Sequence, residues 1–297
     1  AVIAGPLAAL LLARQGTAPK LRWHTPFAKD LIAAGGSVGT LFVVSDQIYL
    51  TGESGGQLRL RSGDGTVLFT YKPNGKDEKP IHVDVSSVDG AFCVGTNKNM
   101  VYCFASKGAL RWSAEVPHES ATICWPEFGP AGDVYVGLIT DEGRSAIASF
   151  TAAGELRWNR GFPGTSGMLT VGQDGLVYVL SQKNTLSAIS EDGDQLWRTA
   201  EDAVSLSEPL AAPDDGVFCW DMIDDSAPLR FHATFRKYSP QGKVLWKFNY
   251  ANRGAGYNGL VDQAANLYFV GRPEGKRKSG LIALSADGSL RWHHPTT

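Results

Sequence analysis

Clusters of polar turn residues divide the chain into short runs in which apolar and polar positions alternate. After Trp158 the apolar run "MLTV" meets a turn at "GQDG". Then follow "LVYVL", a turn at "SQKN", "TLSAIS", a turn at "EDGD", and "QLWRT". Alternation with a period of two, broken every few residues by Gly, Asp and Asn, predicts four short β-strands joined by tight turns. No stretch carries the 3.6-residue apolar stripe of an amphipathic helix. The pattern predicts an all-β chain.

The group of four strands recurs. An aromatic residue with Gly four positions before it ends the strings at Phe69 (GTVLF), Trp112 (GALRW), Trp158 (GELRW), Trp197 (GDQLW), Trp246 (GKVLW) and Trp292 (GSLRW). A degenerate copy, "KLRW", ends at Trp23 and has Pro19 in place of the Gly. The steps from Trp23 to Trp292 are 46, 43, 46, 39, 49 and 46 residues. A second marker, a turn followed by an aromatic strand, runs in phase. Its aromatics are Tyr49, Phe92, Tyr135, Tyr178, Phe218 and Tyr268, spaced by 43, 43, 43, 40 and 50 residues.

A unit of about 45 residues holding four strands is the sequence signature of a β-propeller blade. One four-stranded sheet cannot bury both of its faces, whereas blades packed around an axis cover each face with a neighbour. The expected fold is an all-β propeller of four-stranded blades, a single domain over residues 1–297. It has six full blades and a partial seventh at residues 1–23. In that segment "AVIAG", "LAALLLA" and "KLRW" align with second, third and fourth strands. The same stretch also has the apolar character of a signal-peptide core. Both readings stay open, as do a seven-bladed ring with one defective blade and an excerpt of a longer ring.

The repeat resembles that of the PQQ-like (quinoprotein-type) β-propeller family, whose units run through a turn, "xxYVG", a strand ending "LxALxxx", and "GxLxW". "LYFVGRPEGKRKSGLIALSADGSLRW" (267–292) and "DVYVGLITDEGRSAIASFTAAGELRW" (133–158) carry the pattern nearly throughout. The resemblance spans essentially the whole chain and implies that the repeated aromatics Trp23, Phe69, Trp112, Trp158, Trp197, Trp246 and Trp292 dock neighbouring blades together. A large flat side chain at one place per blade suits such a joint.

The family's namesake dehydrogenases use pyrroloquinoline quinone and calcium, with an Asp base, Glu and Asn ligands, and often a pair of adjacent cysteines above the cofactor. This chain has no Cys–Cys pair and no haem-attaching CxxCH. The resemblance also extends to BamB-type outer-membrane assembly lipoproteins, which are noncatalytic, and to sensor modules of receptor kinases. It implies an extracytoplasmic, periplasmic or secreted, location. The expected function is a noncatalytic protein-binding scaffold or sensor module, monomeric and without cofactor. A degenerate PQQ/calcium-dependent quinoprotein dehydrogenase is the alternative.

Composition narrows the remaining chemistry. With 28 basic and 30 acidic residues, the formal charge of −2 argues against a nucleic-acid partner. No run reaches transmembrane length. The four cysteines form no CxxC pair. Cys93 and Cys103 flank a hairpin turn, "GTNKNM", and read either as a cross-strand disulfide or as two reduced thiols. The six histidines show no metal-ligand spacing, and His293–His294 reads as a frayed tail. Asp214–Asp215 falls in the repeated turn and reads as structural. "DMIDDS" (221–226) reads as a long loop insertion, either a solvated acidic loop or a calcium-binding one. No metal site is expected.

Connection lengths indicate where a partner would bind. The Gly-to-aromatic turn and the turn before "YVG" barely vary. The inter-blade connections and the second-to-third-strand connections vary widely, and in a propeller these two sets open on one face. A constant face reads as construction and a variable one as recognition. The candidates on the variable face are Lys79, His118, Asp141, Arg144, Asp224, Asp225, His232, Tyr257, Asn258 and Arg272. No catalytic residues are expected.

Overall fold

The computed structural model describes residues 41–295 except 45–46, 54–56, 63–65, 73–76, 87, 118–120, 141–144, 163–164, 182–184, 200–204, 207–208, 226–229, 252–258, 274–275 and 277. Every regular element among the described residues is a β-strand. The partial unit expected at residues 1–23, with Trp23, lies outside them.

Six antiparallel units follow one another. The first contains β1 (Leu41–Val44), β2 (Gln47–Glu53), β3 (Gln57–Ser62) and β4 (Val67–Tyr71). The second contains β5 (Pro80–Val85), β6 (Phe92–Thr96), β7 (Met100–Phe104) and β8 (Leu110–Glu115). The third contains β9 (Ala121–Phe128), β10 (Val134–Thr140), β11 (Ser145–Phe150) and β12 (Leu156–Phe162). The fourth contains β13 (Thr165–Val171), β14 (Val177–Ser181), β15 (Leu186–Ile189) and β16 (Gln195–Arg198). In each of these four sheets the spatial order follows the sequence order.

The fifth unit opens with two short pieces, β17 (Ser205–Leu206) and β18 (Leu210–Ala211). Both pair with β19 (Val217–Asp225), which is followed by β20 (Arg230–Tyr238) and β21 (Val244–Ala251). The sixth contains β22 (Leu260–Val261), β23 (Leu267–Pro273), β24 (Gly280–Leu284) and β25 (Leu290–Pro295). A short pairing of β21 with β23, Tyr250 opposite Pro273 and Ala251 opposite Arg272, joins the fifth and sixth into one nine-stranded sheet. First strands touch in succession: β1 with β5, β5 with β9, β9 with β13, β13 with β18, and β18 with β22. This arrangement of successive four-stranded sheets is that of a β-propeller.

The core is a series of layers between neighbouring sheets, because strand alternation gives each sheet two apolar faces. Leu58 and Leu60 of the first sheet meet Val83, Phe92 and Phe104 of the second. Cys93, Val101 and Cys103 of the second meet Val134, Val136 and Phe150 of the third. Tyr135 and Ile147 meet Leu169 and Val177, and Tyr178 and Leu186 meet Val217 and Tyr238. Phe218 and Phe235 then meet Leu267 and Phe269. Each such side chain, fully buried, contributes roughly 1.5–3 kcal/mol.

Register corrects one detail of the repeat. In five of the six units a second-strand aromatic, a third-strand residue and the fourth-strand aromatic stand in one row. The rows are Tyr49–Leu60–Phe69, Tyr135–Ser149–Trp158, Tyr178–Ala188–Trp197, Phe218–Lys237–Trp246 and Tyr268–Ala283–Trp292. In the second sheet the row is Cys93–Cys103–Trp112. Phe92 is therefore one residue out of register with the other markers, and a one-residue offset puts a side chain on the opposite face. Its ring lies 5.9 Å from Phe69 of the preceding sheet.

Two further expectations change. "DMIDDS" is not simply a loop: β19 continues to Asp225, with Ile223 opposite His232, Asp224 opposite Phe231 and Asp225 opposite Arg230. His293 and His294 are not a frayed tail. They belong to β25, opposite Ile282 and Leu281 of β24. In both places the partner strand supplies main-chain hydrogen bonds that local composition does not reveal.

Candidate functional site

Sheet topology gives the molecule two unlike ends. At one end lie the turns between first and second strands and between third and fourth strands. In the third sheet, Gly154 at φ +87° closes the β11–β12 turn, its N–H donating to the carbonyl of Thr151 at 2.9 Å. The same closure occurs at Gly108, Gly193, Gly242 and Gly288, with φ between +77° and +88°. A left-handed conformation there favours glycine.

These turns receive the aromatic of the preceding sheet. Trp112 donates its indole N–H to Ala152 O at 3.1 Å, Trp158 to Glu191 O at 2.8 Å, Trp197 to Pro240 O at 2.6 Å and Trp246 to Ala286 O at 2.8 Å. Each acceptor stands two residues before the turn glycine. A Cβ on Gly154 would come within 2.6 Å of the Trp112 ring, and one on Gly288 within 2.6 Å of the Trp246 ring. Phe69 lies against Gly108 in the same way, and Trp292 sits 6.0 Å from Tyr268 of its own sheet.

Charged groups brace this end. Arg157 donates to Asp133 Oδ2 and Glu191 Oε1, both at 2.7 Å, to Tyr135 Oη at 2.9 Å and to Ser149 Oγ at 2.9 Å. Arg111 pairs with Asp89 at 2.7 Å, which holds the Asp89 carboxyl below its ordinary range. Buried Lys237 pairs with Asp214, so the Asp of the repeated turn has an ion-pair partner. In the second, third and fifth units the polar turn is thereby tied into construction. Composition alone did not reveal Arg157, Asp133 or Lys237, although an Arg in "LRW" following a turn Asp by 22 or 24 residues recurs in two units.

The opposite end gathers the second-to-third-strand hairpins and the inter-sheet connections, and among the described residues Lys79, Asp224, Asp225, His232 and Arg272 belong to it. The indole bonds hold the constant turns of successive sheets side by side, so the variable connections share the other side. Asp224 and Asp225 close β19, and His232 lies in β20. β19 and β20 are nine residues each, the longest strands among the described residues, against five and four for β14 and β15. Arg272 is half-buried near the end of β23. His118, Asp141, Arg144, Tyr257 and Asn258 lie outside the described residues.

Lys79 is exposed on a backbone held in place. Its N–H donates to Asn97 Oδ1 at 2.6 Å, and its carbonyl accepts from the Asn97 N–H at 3.1 Å. Beside it Glu78 Oε1 accepts from Thr96 Oγ1 at 3.0 Å and Tyr102 Oη at 3.2 Å. Tyr71 lies 5.2 Å from Tyr102, and burial pushes both phenols above their ordinary range. Asn97, Glu78, Tyr71 and Tyr102 are residues that sequence reasoning missed, since their proximity spans two sheets.

A third cluster sits on the first strands of the second and third sheets. His82 of β5 stacks on Trp125 of β9, ring centroids 4.1 Å apart, with Glu127 Oε1 3.9 Å from its Nε2. Burial pushes the His82 imidazole down to about 3. Asp84 accepts the Phe128 N–H at 2.8 Å, and burial raises its carboxyl above the ordinary range.

The chain has the fold of a BamB-like β-propeller. Among solved structures it is similar to BamB from Moraxella catarrhalis, with a TM-score of 0.54 and 17% identity, over 84% of this chain and 70% of that one. It is also similar to a protein of unknown function from Bacteroides caccae, with a TM-score of 0.50 and 15% identity, over 85% of this chain and 94% of that one. No protein-family model matches the chain, and no curated protein matches it.

Proposed function

We propose that this BamB-like β-propeller is a noncatalytic scaffold that binds a protein partner through its variable end. The observation that carries the reading is the contrast between the two ends. At the constant end, Asp133, Asp89 and Asp214 are each engaged by a cation of their own sheet. Those groups are occupied in holding the fold. At the variable end, connection lengths differ from sheet to sheet, β19 and β20 are the longest described strands, and the exposed Lys79 sits on a hydrogen-bonded backbone. Connections of unlike length and composition on a repeated frame suit recognition of a macromolecule.

The finer parts of the reading follow the same logic. The repeated Trp residues act as docking joints between blades, six full blades are accompanied by a partial seventh, and the protein works as an extracytoplasmic monomer without a cofactor. Low-identity likeness to a BamB fold supports this placement through architecture alone.

The test uses photo-crosslinking amino acids at Lys79 and Arg272, with one at exposed Asp287 of the constant end as control. The expected result is one protein partner crosslinked from both variable-end positions and none from Asp287. Lys79→Glu with Arg272→Glu should abolish capture. Crosslinking from Asp287 alone would overturn the assignment of the face. Titration with pyrroloquinoline quinone and calcium addresses catalysis: a shifted quinone absorbance together with dye-linked alcohol oxidation would replace the scaffold by a quinoprotein dehydrogenase.

A further inference from the structure

Five of the six units put an aromatic residue in the second-strand position of the row that ends at the fourth-strand aromatic. The second sheet puts Cys93 there and Cys103 directly opposite it on β7. Both side chains are buried in the layer between the second and third sheets, 0% and 2% exposed, and both are free thiols. We propose that Cys93 and Cys103 are an oxidisable dithiol, a covalent modification site that closes to a cross-strand disulfide when a small-molecule or protein disulfide acts as oxidant.

The pairing brings the two cysteines close to disulfide geometry. Residues directly opposite in an antiparallel pair hold their Cα atoms about 4.5 or 5.5 Å apart. Both values fall within the roughly 4.4–6.8 Å range that a disulfide spans. The two sulfurs already share a hydrogen bond in the closed fold, so a small closing movement of the strands brings them to bonding distance. The surroundings make the two thiols unequal. A hydrogen bond from Cys93 lowers the Cys103 thiol, and nearby Arg111 acts in the same direction. Burial raises the Cys93 thiol, and Asp84, opposite it on β5, acts with burial. The thiolate is the nucleophile, and either cysteine can open the exchange once the layer is open; with Cys103 attacking first, Cys93 closes the bridge.

The exchange balances. The Cys103 thiolate attacks one sulfur of the donor disulfide, forming a mixed disulfide and releasing one donor thiolate. Cys93 gives up its proton to solvent and attacks the Cys103 sulfur, and the second donor thiolate leaves. The two protein thiols lose two protons and two electrons, and the donor is reduced to two thiols. Burial confines the reaction to the folding chain or to moments when the layer between second and third sheets has opened. Cys219 supplies an internal control: it is equally buried, but Arg236 stands opposite it.

The experiment equilibrates the full chain with reduced and oxidised glutathione, in buffer and in urea near the unfolding midpoint. The thiols are then trapped by alkylation and mapped by peptide mass spectrometry. The expected product is lighter than the reduced chain by two hydrogens, has one crosslink joining Cys93 to Cys103, and has Cys219 alkylated. Its urea midpoint should exceed that of the reduced chain. Cys103→Ser should leave Cys93 open to alkylation. Alkylation of both Cys93 and Cys103 after oxidative equilibration would overturn the proposal. So would a stable glutathione adduct on either, or a crosslink to Cys124 or Cys219. The wild-type map decides the matter even if the variant fails to fold.

Discussion

The indole N–H of Trp158 donates to the carbonyl of Glu191 at 2.8 Å, from the fourth strand of one sheet to the turn of the next. The same Trp lies opposite Ser149 of its own sheet, and its neighbour Arg157 reaches Glu191 through the side chain. One short string, "GELRW", thus supplies both halves of a joint. Its Trp reaches forward to the following turn, and its Gly154 receives Trp112 from behind.

Trp158→Ala should destabilise the protein by about 3 kcal/mol, the low end for a truncated Trp because the ring is half-buried. Trp158→Phe keeps the ring and loses the hydrogen bond, which should cost about 1 kcal/mol. Urea denaturation followed by circular dichroism gives both numbers. Equal losses would mean that the bond, not the packing, holds the joint.

Gly154→Ala and Gly175→Ala form a matched pair. Both glycines have φ near +80°, at +87° and +79°, so each substitution carries the left-handed penalty of about 1–2 kcal/mol. A Cβ on Gly154 meets the Trp112 ring, while one on Gly175 meets nothing within 4 Å. Gly154→Ala should therefore cost at least about 1 kcal/mol more, from overpacking. Thermal or urea unfolding of the two variants side by side tests the difference.

Asp214→Asn removes the carboxylate facing Lys237, whose side chain is 3% exposed. Because the Asp itself is 44% exposed, the loss should fall between the ~1 kcal/mol of a surface pair and the ~3 kcal/mol of a buried one. Adding Lys237→Met should recover much of the loss, since the stranded cation is then gone. A double-mutant cycle in urea measures the coupling.

His82 gives the stability a pH dependence. Its folded-state imidazole is pushed down to about 3 by burial, against an ordinary value of 6.5. The unfolded chain therefore binds the extra proton first. The contribution of the neutral imidazole is present above pH 6.5 and is lost as pH falls towards 3, at up to about 1.4 kcal/mol per pH unit. Glu127, 3.9 Å from the His82 Nε2, is present in both proteins under comparison. His82→Phe keeps a ring against Trp125 and should show a shallower fall between pH 6 and about 4. Identical slopes in the two proteins would contradict the assignment.

Several parts of this arrangement are legible in the residues themselves. The turn glycines and the outer-strand aromatics recur at a period that four short strands require. The strands read after Trp158 correspond to β13, β14, β15 and β16. Other parts are not legible. The Leu of each "GxLxW" string looks like core, yet Leu110 and Leu156 are 56% and 44% exposed. A register shift puts Leu110 opposite Phe104 and Leu156 opposite Phe150, while the Trp residues two positions on stand opposite Cys103 and Ser149, so the usual same-face relation at a spacing of two is broken. The one-residue offset at Phe92, the extension of β19 to Asp225 and the pairing of His293 all depend on a partner strand. The variable-end candidates are legible as a set through their loops, but only Lys79, among those described with side chains, has its immediate surroundings defined by hydrogen bonds.

The sequence by itself determined the all-β character, the four-strand unit and the place of the joints. Turn chemistry and period-two burial are local properties, and repetition amplifies them. Only the tertiary structure decided which carbonyl each indole meets, that Lys237 is buried against Asp214, that His82 is enclosed by Trp125, and that Cys93 faces Cys103. Those facts depend on register and on contact between sheets, where residues some forty positions apart along the chain, such as Trp112 and Ala152, become neighbours.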